Sequence, residues 1–208
     1  MGQQTKRITG LVVSSVILLA GIAAYYYFNY AAPSTNEPQL NKGDTAAGPA
    51  ANAALEKALE VDQDGLSKAV AVIQTTRGKI RFRFYTNDAP KTVHRIAELI
   101  EKGFYNGLTF HRVVPGFVIQ GGDPSGTGAG GSGQNLPAEF NARKHVPGTV
   151  AMARAQDPNS ADSQFYIALG TLPNLDNQYT VFGQLIEGQD VANQIQVGDR
   201  MTTVSIEK

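Results

Sequence analysis

The sequence predicts a mainly β domain, a closed or nearly closed antiparallel eight-stranded barrel capped by two helices, behind an apolar N-terminal segment and a tether. Three observations carry this reading. Between Val70 and Ile206 the chain holds eight short strand-like runs separated by Gly, Pro and Asn. Only two stretches show a helical pattern, too few for the alternation of a parallel α/β sheet. From Ala69 onward the composition is that of a globular domain, with 13 basic and 12 acidic residues over 140 positions, long enough to bury a substantial core.

Residues 1–7 form a short basic start. No charged residue occurs between Arg7 and Glu37, and Ile8 to Tyr30 is apolar apart from small or aromatic interruptions. As a helix at about 1.5 Å per residue this segment reaches roughly 35 Å, enough to cross a hydrocarbon core of about 30 Å. A cleavable signal peptide is the rival reading. The small-x-small pattern it needs is poor, since only Gly21-Ile22-Ala23 fits and lies inside the apolar run. Tyr25, Tyr26, Tyr27, Phe28 and Tyr30 resemble an interfacial aromatic belt, which favours an uncleaved anchor. Lys6 and Arg7 then stay in the cytoplasm, and the rest of the chain lies on the extracytoplasmic side of a single-pass span. Secretion after cleavage is the alternative. Residues 31–68, with three basic and six acidic residues and no long apolar periodicity, read as a flexible tether.

Within residues 69–208, Val70 to Tyr85 carries two strands around Arg77-Gly78. In the second, Ile80, Phe82 and Phe84 alternate with Lys79, Arg81 and Arg83, giving an apolar face and a basic, solvated one. A helix follows, capped by Asn87 or Asp88, with Pro90 in its first turn, Gly103 after its last, and Val93, Ile96, Ala97 and Ile100 on one stripe. Strands are expected at Leu108 to Val113, Phe117 to Gln120, Thr149 to Ala153, Phe165 to Leu169 and Thr180 to Ile186. A short helix at Gln189 to Gln196 and a last strand at Thr202 to Ile206 complete the domain.

Several function classes drop out. The chain has no Cys, which removes disulfides, thiolate metal sites and a thiol nucleophile. Its formal net charge of zero gives no electrostatic footprint for nucleic acid. Gly126-Thr127-Gly128-Ala129-Gly130-Gly131 has the spacing of a dinucleotide loop but opens no amphipathic helix, so it reads as a surface loop. His94, His111 and His145 lack metal-site spacing and no Gly-x-Ser-x-Gly elbow is present, so each histidine reads as structural or exposed.

The stretch Phe110 to Asp123, FHRVVPGFVIQGGD, resembles the signature of the cyclophilin peptidyl-prolyl cis-trans isomerases. The resemblance continues through GTVAMARA at Gly148, NSADSQFYIAL at Asn159 and YTVFGQLIEGQDV at Tyr179, four blocks in the family's order. It implies the cyclophilin barrel and an enzyme that accelerates X-Pro isomerisation. Such chemistry twists an amide against a barrier of about 18–20 kcal/mol. It needs a pocket for the proline ring, anchors for the flanking backbone, and a donor to the prolyl nitrogen as that atom becomes pyramidal; it needs no cofactor and no metal.

By this resemblance Arg112 is the catalytic arginine and Gln120 the amide that contacts substrate backbone and helps hold it. Phe117 is the aromatic floor of the proline pocket, with Val118 standing where relatives often have methionine. Ala153 pairs with substrate backbone, Phe165 and Tyr166 form the aromatic pair beside the pocket, and Leu175 is its rim. Gln164 and Gly128 line the groove. Arg154 replaces a common asparagine, a change of little expected consequence if that position acts through its main chain. Asn174 and Tyr179 stand where many eukaryotic relatives have tryptophan and histidine, the second as in many bacterial members. Binding of the cyclic peptide inhibitor cyclosporin is therefore expected to be weak.

The expected function is folding assistance to exported or membrane proteins. The expected partners are proline-containing polypeptide segments and, through residues 8–30, a membrane; no nucleic acid is expected, and the chain is taken as a monomer. The alternative is a clamp for proline segments with little turnover, acting as a chaperone or assembly module. Retention of Arg112 beside Phe117 and Gln120 favours the enzyme, because a clamp needs the pocket but not the donor.

Overall fold

The computed structural model describes residues 65–207. The expected span at 8–30 and the tether up to residue 64 lie outside the described residues. Among the described residues no helix is long and apolar enough to cross a membrane. Residues 65–68 make one helical turn, and Leu66, 3% exposed, sits in the core ahead of the expected boundary at Ala69.

The strands are β1 (Val70–Thr75), β2 (Gly78–Phe84), β3 (Arg112–Val114), β4 (Val118–Gly121), β5 (Thr149–Met152), β6 (Phe165–Ala168), β7 (Val181–Glu187) and β8 (Met201–Glu207). They form one antiparallel sheet in the order β3-β4-β6-β5-β7-β2-β1-β8. The expected ladder-closed barrel is corrected here, since β3 and β8 end the order and do not pair with each other. The sheet curls, and its ends are joined by residues 107–110 against 199–201. Gly107 N–H donates to Met201 O at 2.7 Å, Met201 N–H to Leu108 O at 2.9 Å and Phe110 N–H to Asp199 O at 2.9 Å. That pairing also shortens the expected strand at 108–113, whose first residues direct their backbone bonds toward residues 199–201 while β3 begins at Arg112.

On β2 the apolar alternation places Ile80, Phe82 and Phe84 in the core. Arg81, on the opposite face, bridges Glu187 at 3.1 Å and Glu207 at 2.7 Å, so part of the basic stripe is neutralised by the neighbouring strands. The long helix α1 (Pro90–Glu101) buries Val93, Ile96, Ala97 and Ile100 and packs against β8. Gly103 follows it at φ +69°. Its start differs from expectation. Ala89 holds the cap position without a side-chain bond, and Asp88 is engaged by Arg143 at 2.8 Å. The first-turn N–H groups of Lys91 and Thr92 instead donate to the two carboxylate oxygens of Glu139, at 3.0 and 2.8 Å. A carboxylate there satisfies orphan donors and complements the helix dipole. The short helix α2 (Gln189–Gln194) lies against β2.

Two apolar clusters result. The larger lies on one face of the sheet, with Phe110, Phe182, Ile73, Ile80, Ile119, Ile167 and Met201 at its centre. The smaller, on the other face, comprises Val118, Ala151, Tyr166, Ala168, Leu172 and Val181, with Phe117, Ala153, Leu175 and Tyr179 packed against it.

Candidate active site

Strand register decides which side chains meet. Directly opposed residues of an antiparallel ladder project to the same face. Arg112 opposes Gln120, Gln120 opposes Tyr166, and Tyr166 opposes Ala151, so one row runs across β3, β4, β6 and β5. The adjacent row, Val113, Ile119, Ile167 and Val150, points the opposite way and feeds the larger core. The first row and the loops beside it border a cavity of about 270 Å³. It is lined by Arg112, Phe117, Val118, Gln120, Ala153, Arg154, Tyr166, Leu175 and Tyr179, each of them an expected site residue.

Arg112 is held by position rather than by charge. Its Nη1 donates to Gln120 Oε1 at 3.4 Å, and its guanidinium carbon stands 5.8 Å from the Phe117 ring centroid. Among the described residues no carboxylate pairs with it, so its remaining N–H donors are available at the cavity mouth. Gln120 is oriented in turn: its Nε2 donates to Gln164 Oε1 at 2.9 Å, and Gln164 Nε2 donates to the carbonyls of Gly128 and Gly130 at 2.9 and 2.8 Å.

Tyr166, 5% exposed, gives the cavity an aromatic wall whose hydroxyl lies 2.9 Å from His145 Nε2. His145 is 1% exposed, and its Nδ1 lies 3.2 Å from Asp176 Oδ1. An ionised Asp176 only accepts, which places the imidazole proton on Nδ1 and makes Nε2 the acceptor of the Tyr166 hydroxyl. Burial pushes His145 below the ordinary histidine range, against the opposing pull of Asp176. Burial likewise drives the Tyr166 phenol well above its usual value. Donation from the His145 backbone N–H holds Asp176 low, with help from the imidazole and Lys144. His145 is structural, one of the two readings the sequence allowed, but its partner was not foreseen; the signal was the tyrosine itself, because a buried phenol calls for a partner.

Arg154 lies 4.9 Å from the Tyr179 ring centroid and 5.5 Å from that of Phe140. All its side-chain hydrogen bonds go to backbone carbonyls, of Gln178, Ala155 and Gln156.

The arrangement is an apolar slot with two guanidinium groups beside it, and the one wall hydroxyl bonded to an imidazole, that of Tyr166, is committed to the buried His145. Among the described residues no group of three or more His, Asp or Glu side chains is placed to hold a metal ion. A family model described as cyclophilin type peptidyl-prolyl cis-trans isomerase/CLD matches residues 70–208. The chain belongs to the cyclophilin-type peptidyl-prolyl cis-trans isomerases. A peptidyl-prolyl cis-trans isomerase of Synechococcus elongatus is 46% identical over 138 residues, which cover 65% of this chain and 94% of the relative. One of Helicobacter pylori is 42% identical over 153 residues, 71% of this chain and 93% of the relative. Among solved structures, a Cryptosporidium parvum cyclophilin crystallised in the presence of the dipeptide Ala-Pro superposes with a TM-score of 0.63 at 30% identity, covering 67% of this chain and 99% of that one.

Three expected site residues of this cyclophilin lie away from the cavity. Phe165 is corrected outright: next to Tyr166 on β6, it projects to the other face, where it is 5% exposed in the larger core and packs edge-on against Tyr105 at 5.6 Å. Gln164 and Gly128 stand behind Gln120, in the chain of hydrogen bonds that orients it. The glycine loop that holds Gly128 is organised by two carboxylates. Asp123 accepts from the Ser125 hydroxyl and from the N–H groups of Ser125, Thr127 and Gly128. Burial raises its pKa, but the bonds from Ser125, Gly130 and Gly128 outweigh this and hold it at about 2. Asp162 accepts from the N–H groups of Ser132, Gly133 and Gln134. A Cβ on Gly130 would collide with the Asp123 carboxylate and one on Gly131 with that of Asp162, which gives these glycines a physical reason.

Proposed function

We propose that this cyclophilin is anchored by residues 8–30 on the outer side of the cytoplasmic membrane and accelerates X-Pro isomerisation in proteins folding there. The proline ring rests on Phe117, Val118, Tyr166 and Leu175. As the prolyl nitrogen leaves the amide plane it regains a lone pair, and Arg112 donates to it. The donor is always charged and its planar fork is pre-oriented, so this contact forms in the twisted state and hardly at all in either planar one. Gln120 fixes Arg112 and anchors substrate backbone. The observation that carries the reading is Arg112 itself, standing at an apolar slot with no carboxylate partner among the described residues, where a surface arginine normally forms an ion pair. The Ala-Pro dipeptide used with the Cryptosporidium relative supports a proline-containing ligand. Uncatalysed isomerisation takes tens to hundreds of seconds, slow enough to limit folding of exported chains.

Exchange spectroscopy on an Ala-Pro peptide with the full-length protein in detergent tests the activity. Catalysed exchange is expected; binding without exchange would establish the clamp instead. N-terminal sequencing of membrane-extracted protein tests the anchor, and a mature chain starting beyond Gly21 would contradict it.

A further inference from the structure

Among the described residues, no carboxylate lies within ion-pair distance of Arg154. Its Nε and Nη2 donate to Gln178 O at 3.2 and 3.0 Å, and its Nη1 donates to Ala155 O at 2.9 Å and Gln156 O at 3.0 Å. The rings of Tyr179 and Phe140 confine it further. These partners orient the guanidinium and leave its charge in place. The carboxylates on the segments that frame it are committed elsewhere. Glu139 caps α1, Asp157 accepts from Asn159 N–H at 2.9 Å, and Asp176 is bound to His145 and Lys144. Two other cations nearby in sequence are neutralised, Lys144 by Asp176 and Arg143 by Asp88. The cavity lining therefore holds two positive side chains, Arg112 and Arg154, and no negative one.

Resting on the isomerase reading above, we propose that Arg154 is a specificity-determining residue that favours proline segments carrying an acidic side chain next to the proline. The positive charge is pre-positioned at the wall where the flanking residue passes, so an acidic neighbour gains attraction without any reordering of the protein. A basic neighbour meets two like charges. Asparagine at this position, the common residue in the family, would supply no such field.

The test uses the full-length protein in detergent and peptides with Glu, Ala or Lys either immediately before or immediately after the proline. Exchange spectroscopy avoids the preferences of a coupling protease. At low salt, kcat/KM for the Glu peptide should exceed that for the Lys peptide by about five- to tenfold in at least one series, a size fitting partly exposed charges. The ratio should fall toward one in about 1 M salt, where the screening length is about 3 Å. It should drop at least twofold in Arg154→Gln and persist in Arg154→Lys, which keeps charge without the planar fork. Because the ratio is taken within each variant, an overall loss of activity does not confound it, and should Arg154→Gln fail to fold, a wild-type ratio near one still overturns the proposal. A wild-type ratio near one in both series, or an unchanged ratio in Arg154→Gln, overturns the proposal while leaving isomerisation intact. Absence of catalysis on the Ala peptides overturns the isomerase reading itself.

Discussion

Replacing Tyr166 by Phe removes one oxygen from the cavity wall and should lower stability more than the loss of an oxygen on the surface would. The hydroxyl lies 2.9 Å from His145 Nε2, and both residues are at most 5% exposed. His145 spends its Nδ1 proton on Asp176, so the variant leaves Nε2 as a buried, unsatisfied acceptor. Such a group costs about 1–3 kcal/mol, more than the net of about 0.5–1.5 kcal/mol that a typical intramolecular hydrogen bond contributes. With a urea slope of about 1–3 kcal/mol per M, the midpoint should fall by roughly 1 M. The ring itself is retained, stacked near His145 at 17° and edge-on to Tyr179, so the apolar slot keeps its shape. Urea unfolding at pH 7.5, followed by circular dichroism, reads the effect. A midpoint equal to or above that of the wild type would refute the proposed hydrogen-bond directions and the role of His145 as an acceptor.

Acidification from pH 7.5 to 5.5 should destabilise the wild type. Burial holds His145 and His111 below the ordinary value, so the unfolded chain binds more protons. Their contribution is complete above about pH 6.5 and is lost as pH falls toward the folded-state values; a flat urea midpoint across this range would contradict it. Glu139→Ala should cost about 1–2 kcal/mol, because the Lys91 and Thr92 N–H groups lose their cap, with Glu139→Gln intermediate; urea midpoints check both. Asn174 is exposed beside the cavity residue Leu175. If tryptophan there buries about 100 Å² more of cyclosporin, the gain approaches 2.5 kcal/mol, nearly two decades of affinity. Unchanged affinity in a titration of Asn174→Trp would count against the rim argument.

What the sequence made legible followed from short-range periodicity. Alternation in Lys79 to Phe84 and the stripe from Val93 to Ile100 each encode which face is buried, and both faces are found as read. The chain of resemblance blocks brought the cavity residues together because matched motifs sit in matched register. Alternation also shows why Phe165 was misplaced: two consecutive strand residues cannot share a face, and pairing them as one aromatic wall ignored that period of two. Long-range contacts were not legible. Glu139 lies 48 and 47 positions from the two amides it caps, and Arg154 meets Phe140 and Tyr179 from 14 and 25 positions away. Ring closure through residues 107–110 was hidden for the same reason, since an apolar run does not say which neighbour its backbone will choose.

The central claim is that Arg112 stabilises the twisted amide rather than the bound peptide. Arg112→Ala should lower the catalysed exchange rate by about 10²- to 10³-fold, equivalent to about 3–4 kcal/mol of transition-state stabilisation, while peptide affinity changes by only a few-fold. Phe117→Ala, which removes a wall serving planar and twisted proline alike, should instead weaken binding throughout. Line-shape analysis of one Ala-Pro peptide titrated with the full-length protein gives both quantities in one experiment. Exchange collapsing with affinity retained is the predicted result for Arg112→Ala; undiminished exchange with an unchanged circular dichroism spectrum would contradict the account.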